Sequence, residues 1–527
     1  MLKLLIKSKL AALIDALSYG AGKKSKKKLS GVGLILLFAF IAVSTMASLG
    51  SFFWLLCDGV QAGSMEPWTV FGMAISYAFL FCIIGSVFAV KVLIFESKDN
   101  DLLLSMPIPT KYIFISRMVV LFIINFALES LVLIPCTILY AAMVGFSIEG
   151  VVNLILVSLL LPFFVLTLST LVAWLISEIT SRTKHKNAVT IILYLAILVS
   201  YLAFTATTSA SGATVSADVY KSTFIFWWSA TAITNGSFLS LLWFALVSLI
   251  PALITFVLLD KAFIRIITTS KSANKKKYTG NRAKSSSTYF TLLKKELLKF
   301  FTSPSYVMNA GVGSIMCVIF SIYIATLSGD ILPIVGVPGF EWTENLFGPA
   351  VVIVCAFIGG MSFVSAPSIS LEDKQLWILH SCPINPKDVL MAKLSCHLIV
   401  CAPLTLVSAA ILCIAYKINV GMSILVLLTV FVCVLFSDYV GLFFGLKFPK
   451  FGWQNEMVPV KQSLSTFVTM FGSMLFFGGL GFASYHLSKV SGYLAVLIVF
   501  AICATVCGII HTYLINSGVK EFENLKK

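Results

Sequence analysis

"FESKDNDLLLSMPIPTKYIFISRM" (95–118) and "LEDKQLWILHSCPINPKDVLMAKL" (371–394) are two versions of one pattern. At an offset of 276 residues, Glu96 falls on Glu372, Lys98 on Lys374, Leu103 on Leu379 and Ser105 on Ser381. Pro107 then falls on Pro383, Ile108 on Ile384 and Lys111 on Lys387, while Arg117 meets Lys393 and keeps the charge. Self-similarity at a fixed spacing is the mark of a duplicated architecture. The first copy spells out a short helix with Leu102, Leu103 and Leu104 as an apolar ridge and acids at its positive end. Pro107 and Pro109 stop it, since proline lacks the N–H and disfavours helix in the residue before it. Thr110 or Asn385 can then cap the helix that follows.

What flanks the two copies sets the class. The chain is 59% hydrophobic and 11% charged over 527 residues, with a mean hydropathy of +1.00. Soluble domains average about 45–50% apolar and about 25% charged, so this is a polytopic membrane protein. A helix needs about 20 apolar residues to cross the hydrocarbon core, and twelve runs qualify. Those of the first half are 32–56, 69–92, 113–143, 151–176, 188–205 and 238–259. Those of the second are 306–327, 346–364, 389–415, 421–444, 464–483 and 492–514. Each copy of the pattern joins the second and third runs of its half. Six spans per half give both halves the same orientation, hence a parallel repeat.

The +16 net charge follows topology. "KKSKKK", "SRTKHK", the 261–299 stretch, "KFPK" and "ENLKK" fall on one set of loops, and the other set is nearly free of Lys and Arg. That asymmetry puts both termini and both copies of the pattern on the cytoplasmic side. The basic residues lie between apolar spans, which speaks against nucleic acid as a partner; the bilayer is the expected one. The twelve cysteines sit mostly inside apolar runs, without a CxxC pair, and read as small hydrophobes. "GLILLFAFIAV" after "KKSKKK" reads as a retained first helix, because the polar lead is too long for a secretory signal. Residues 271–288 form a Ser/Lys-rich linker, leaving 1–270 and 289–527 as the two halves. "TYFTLLKKELLKFF" spaces Phe290, Leu293, Leu297 and Phe301 as the apolar face of an interfacial helix. The chain start, with Leu4, Leu5, Leu13, Ile14 and Leu17, is a weaker version. The expected fold is thus all-α, with about twelve transmembrane helices in two parallel six-helix repeats, each preceded by an amphipathic helix.

Ionisable residues inside spans are functional candidates. Glu129 with Asn125 in the third run and His397 in the ninth are candidates for lining a pathway or joining helices. Asp438 lies toward the cytoplasmic end of the tenth run, where water or Lys447 would meet it. Pro135, Pro162 and Pro403 are expected to kink their helices. "FIGGMS" suggests close packing through Gly359 and Gly360 within the eighth run. No catalytic constellation or metal-ligand cluster stands out. "GAGKKS" is not a phosphate-binding loop, since the first glycine is replaced by Leu17 and Lys24 stands where Ser or Thr is needed.

The acid, the "LLLSMPIP" break and the lysine before a span resemble the segment after the second span in ABC-2-type exporter permeases. "LLKKELLKFFTSP" resembles that family's interfacial elbow. "LKFPKFGWQNEMVPVKQS", with Lys450, Trp453 and Glu456, is similar to the second cytoplasmic loop of its fused twelve-span bacterial members. The first half departs here, since "SEITSRTKHK" shares almost nothing with that loop. The resemblance implies a non-enzymatic transmembrane subunit in a bacterial plasma membrane. It would export substrate with ATP and Mg bound on two separate ATPase subunits, and would carry no cofactor itself. Glu96, Leu102, Leu103, Leu104, Pro107 and Lys111, with Glu372, Leu379, Pro383 and Lys387, would form the coupling helices that meet those subunits. The competing class is a twelve-span secondary transporter driven by an ion gradient. Its Gly/Asp/Arg-rich loop between the second and third spans is missing.

Overall fold

Apolar runs in hydrocarbon fold as helices because each backbone N–H and C=O must find a partner within the segment. The computed structural model describes residues 2–9, 31–90, 93–94, 100–181, 183, 187–196, 199–200, 224–269, 287–326, 344–453, 456–461 and 463–525. Among them there are helices and no strand, and nine helices are long and apolar enough to cross a membrane. The protein is an all-α membrane protein. Glu96, residues 271–286 of the expected linker and most of the "SRTKHK" loop lie outside the described residues, as do Leu13, Ile14 and Leu17.

The chain forms two compact units, one covering Leu29–Tyr278 and the other Thr279–Lys527. The first contains α1 (Gly31–Gln61), α2 (Trp68–Val90), α3 (Asn100–Ser105), α4 (Thr110–Met143) and α5 (Ile148–Ser181). It continues with α6 (Asn187–Ala196), α7 (Phe224–Thr234) and α8 (Phe238–Thr269). Its main core gathers Phe53, Phe71, Ile75, Val132 and Phe244. The eleven-residue α7 is too short to register as a spanning run, yet it packs into this core, with Trp227 edge-on to Trp68 at 4.7 Å.

The second unit begins with α9 (Thr288–Thr302), whose start is capped by Ser287 accepting from the Phe290 N–H. Next come α10 (Pro304–Thr326), α11 (Glu344–Gly359), α12 (Leu376–Ser381), α13 (Pro386–Ala415), α14 (Val420–Lys447), α15 (Leu464–Ser488) and α16 (Gly492–Tyr513). Cys355, Val426, Phe477, Val496 and Cys503 lie at its core. α4, α5 and α13 run on past Pro135, Pro162 and Pro403.

Two elements differ from the sequence expectation. The eighth run is not a full span: α11 ends at Gly359, and residues 360–369 are irregular yet buried except Met361. Gly359 and Gly360 therefore end a helix, although both do pack closely, against Thr405 and Phe477. α10 also carries a π turn at Val307–Gly311. Such a turn spares a carbonyl from the helix ladder. The Ala310 oxygen accepts from the Phe363 N–H at 2.9 Å, and Ser362 Oγ accepts from the Ser314 N–H at 2.8 Å. The irregular stretch is thus satisfied by its neighbour, as backbone at membrane depth must be.

Candidate functional site

In each unit the repeated pattern builds a short helix, a proline break and a long helix. α3 ends at Ser105, Met106 to Pro109 are non-helical, and α4 begins at Thr110. α12 ends at Ser381, Cys382 to Asn385 are non-helical, and α13 begins at Pro386. The caps differ from expectation in one copy. Asn385 Oδ1 accepts from the Lys387 N–H at 3.0 Å, whereas the N-cap position of α4 is Pro109 and no side chain caps it. Thr110 is already the first helical residue, so its hydroxyl has lost the cap geometry.

The leucine ridge is turned further inward than the sequence suggests. Leu103 and Leu104 pack against Val90, Ile94, Ile113 and Phe114, and Leu102 is the exposed member at 61%. The second copy repeats this register: Leu379 is buried while Ile378, in the place of Leu102, is 43% exposed. Trp377 beside it is 64% exposed, and Met106 is a second exposed apolar residue on the first copy. Pro107, Lys111, Pro383 and Lys387 are also exposed. Each short helix therefore holds one leucine down and shows an apolar surface outward.

What lies beneath the second copy is a buried ion network. Lys393 Nζ donates to Glu296 Oε1 at 2.8 Å, Glu372 Oε1 at 2.9 Å and the Ser368 carbonyl at 3.1 Å. Lys295 Nζ donates to both Glu372 oxygens, at 2.8 and 2.9 Å. Lys299 lies 3.5 Å from the same carboxylate and donates to the Leu371 carbonyl. Burial by itself would raise the Glu372 pKa, but Lys393, Lys299 and Lys295 outweigh it and hold the group well below the ordinary carboxylate range. Burial lowers the Lys299 ammonium more than Glu372 can restore it. Residues on α9, the 370–375 turn and α13 are thereby tied at one point.

The orientation of α9 follows from this. Its buried side is Leu292, Leu293, Glu296 and Phe300, while Phe290, Leu298 and Phe301 are exposed. The expected apolar face holds together: Phe290, Leu293, Leu297 and Phe301 line one open apolar groove with Leu298, although Leu293 is itself largely covered. A helix with ion-paired Glu296 on its inner side and Phe290, Leu298 and Phe301 on its outer side suits a hydrocarbon boundary.

The loop after α14 closes over the same turn. The Lys450 N–H donates to Ser370 Oγ at 2.9 Å, and Trp453 Nε1 donates to the Ser370 carbonyl at 2.8 Å. Glu456 Oε2 accepts from Ser303 Oγ at 2.6 Å, next to the end of α9. Lys450 and Trp453, 80 and 83 positions from Ser370, thus close on the turn that carries Glu372, while Glu456 is tied to the end of α9. Glu296 and Lys393 are the members that sequence reasoning passed over as a pair. The Lys393 match to Arg117 was the available signal. In the first unit Arg117, buried on α4, donates to the Ile94 carbonyl at 3.1 Å.

The intramembrane candidates fall apart into two places. Asn125 and Glu129 are fully buried in the first unit. Asn125 joins helices, its Oδ1 accepting from Ser86 Oγ on α2 at 2.5 Å. The Glu129 carboxylate has no hydrogen-bond partner among the described residues. His397 lies in the second unit, 4.0 Å from Asp438. Asp438 is neither solvated nor paired with Lys447: it is fully buried, and Lys447 pairs with Glu521. α14 runs nine residues beyond Asp438, to Lys447, which places that carboxylate at depth.

The class that these spans and units define has a counterpart among known families. Residues 34–517 match the model of a family described as membrane proteins of 12 TMs, and the chain belongs to that family. No curated protein matches the chain significantly.

Proposed function

We propose that this chain is the permease of an ABC-2-type exporter in a bacterial plasma membrane, with both termini cytoplasmic. Two separate ATPase subunits, carrying the ATP and Mg, would dock on α3 and α12 and drive export of a substrate through the spans. The observation that carries this reading is the paired construction of those short helices. Each displays an exposed apolar surface, Leu102 with Met106 and Trp377 with Ile378, on a base held by an inward leucine. A surface of that kind on a short element followed by a proline break can pass a push from a partner straight into a spanning helix.

The network under α12 supports the same reading. A coupling element that flexed freely would absorb the stroke. Lys393 sits on α13 itself, so movement of the 370–375 turn is transmitted to a span through its bonds to Glu372 and Ser368. The test is purification in mild detergent followed by an ATPase and transport assay. The chain should bring down a protein of about 25–35 kDa, the size of a compact nucleotide-binding domain. Transport should require ATP hydrolysis. Transport that runs on a proton or sodium gradient without ATP would overturn the proposal in favour of a secondary transporter.

A further inference from the structure

Asp438 takes no part in the contacts of α12, and among the described residues the polar side chains closest to its carboxylate are His397 and Ser365. It is 0% exposed, and neither carboxylate oxygen has a hydrogen-bond partner among the described residues. A buried anion without donors is among the costliest groups a protein can hold, so its charge must be met by a cation. The groups that face it from the packed elements are few. On α13 they are His397, Cys396 and Cys401; Cys507 lies on α16, Tyr439 on α14 itself, and Ser365 on the unwound stretch, its hydroxyl beside the carboxylate. Lys393, one turn before His397, is committed to Glu296, Glu372 and the Ser368 carbonyl. His397 is 1% exposed, its Nδ1 lies 4.0 Å from Asp438 Oδ1, and that nitrogen also has no partner among the described residues. Two unpartnered polar groups thus face each other across a gap slightly too long for a hydrogen bond.

A second observation is independent of these side chains. The unwound stretch 360–369 runs beside them, with Ser365 Oγ donating to the Asp438 carbonyl at 2.9 Å. Gly441 and Gly445, on α14 after Asp438, let this stretch approach closely: a Cβ at Gly445 would stand 2.6 Å from the Ala366 carbonyl oxygen. Broken helices at membrane depth can bring oxygens to a held ion, and Ser365 Oγ is the hydroxyl that this stretch sets beside the Asp438 carboxylate. Glu129 in the first unit shares the burial, but it sits in an unbroken α4.

We propose that Asp438 and His397 form a binding site for one monovalent cation, a sodium ion or a proton, seated against the unwound stretch 360–369. As a proton it sits on the Asp438 carboxylate, 4.0 Å from His397 Nδ1. As sodium it takes the Asp438 carboxylate with Ser365 Oγ of the neighbouring stretch. The site does not depend on the export reading, because a cation held within the second unit needs no ATPase partner.

The experiment follows thermal unfolding of the purified full-length chain in nanodiscs by tryptophan fluorescence, without ATPase. One arm replaces choline by sodium at constant ionic strength and fixed pH. The other varies pH from about 5 to 8 in sodium-free buffer. In one of the two arms the wild type should gain several degrees in Tm as the cation is added. Asp438→Asn should be flat in that arm, and Glu129→Gln should respond like the wild type. The arm that responds names the cation, and retention of radioactive sodium by the wild type alone confirms the first arm. Should Asp438→Asn fail to fold, His397→Gln takes its place, with a weakened response expected. A wild type indifferent in both arms, or a variant that responds as fully as the wild type, overturns the proposal.

Discussion

α3 and α12 have the same length, the same break after them and the same inward leucine, yet they rest on different foundations. α12 follows a turn whose Glu372 is gripped by three lysines, with Trp453 and Lys450 bonded to Ser370 beside it. α3 rests on an apolar cluster of Val90, Ile94, Ile113 and Phe114, beside Arg117 bonded to the Ile94 carbonyl. One pattern can thus be repeated for its exposed face while its support diverges. The exposed register is set by spacing along a short helix, whereas the support is built from residues far away in sequence.

The strongest way to break this contrast is Lys393→Met. It leaves two carboxylates facing each other without their shared buried cation, and breaking such a pair costs about 3–5 kcal/mol. Thermal unfolding in nanodiscs should show that loss; a variant as stable as the wild type would mean the network holds nothing. Next is the proposed docking face. Trp377→Ala should weaken ATPase capture by about 2 kcal/mol or more, roughly thirtyfold, since exposed tryptophans dominate interfaces. Leu102→Ala should cost less, because leucine is under-represented among such anchors. Equal losses in quantitative pull-down would show that the two docking faces work equally.

Acid gives a finer probe. The folded-state pKa of Glu372 is depressed, so its contribution is fully present above the ordinary glutamate value of about 4.3. It is lost as pH falls from there toward the lower folded value. Stability measured from neutral to acid should therefore decline less steeply below that point in Glu372→Gln than in the wild type. The smallest effect separates the two breaks. Asn385→Ala removes a cap worth about 1 kcal/mol, while Thr110→Ala should change unfolding little, because the Thr110 side chain makes no cap bond.

Much of the site was legible because it is local. The offset of 276 residues, the prolines and the helix-forming stretches place α3 and α12 without any tertiary information. The exposed member of the ridge was not legible, since Leu102, Leu103 and Leu104 are chemically identical and only the packing of α4 chooses among them. The buried charges of α9 were not legible for a related reason. Glu296 reads as a solvated charge until Lys393, 97 residues away, appears beside it. Asp438 looked like a residue near water because sequence gives distance along a helix and not what covers its side.

By itself the sequence determined a helical membrane protein with a doubled pattern. Hydropathy sets which segments enter hydrocarbon, and a chain there must satisfy its own backbone. Only the tertiary structure decided that the eighth run stops at Gly359, that Glu372 is locked to α9 and α13, and that Asp438 and His397 face each other beside Ser365. Those outcomes depend on which side chains meet across helices, and burial turns each such meeting into a large energy of either sign.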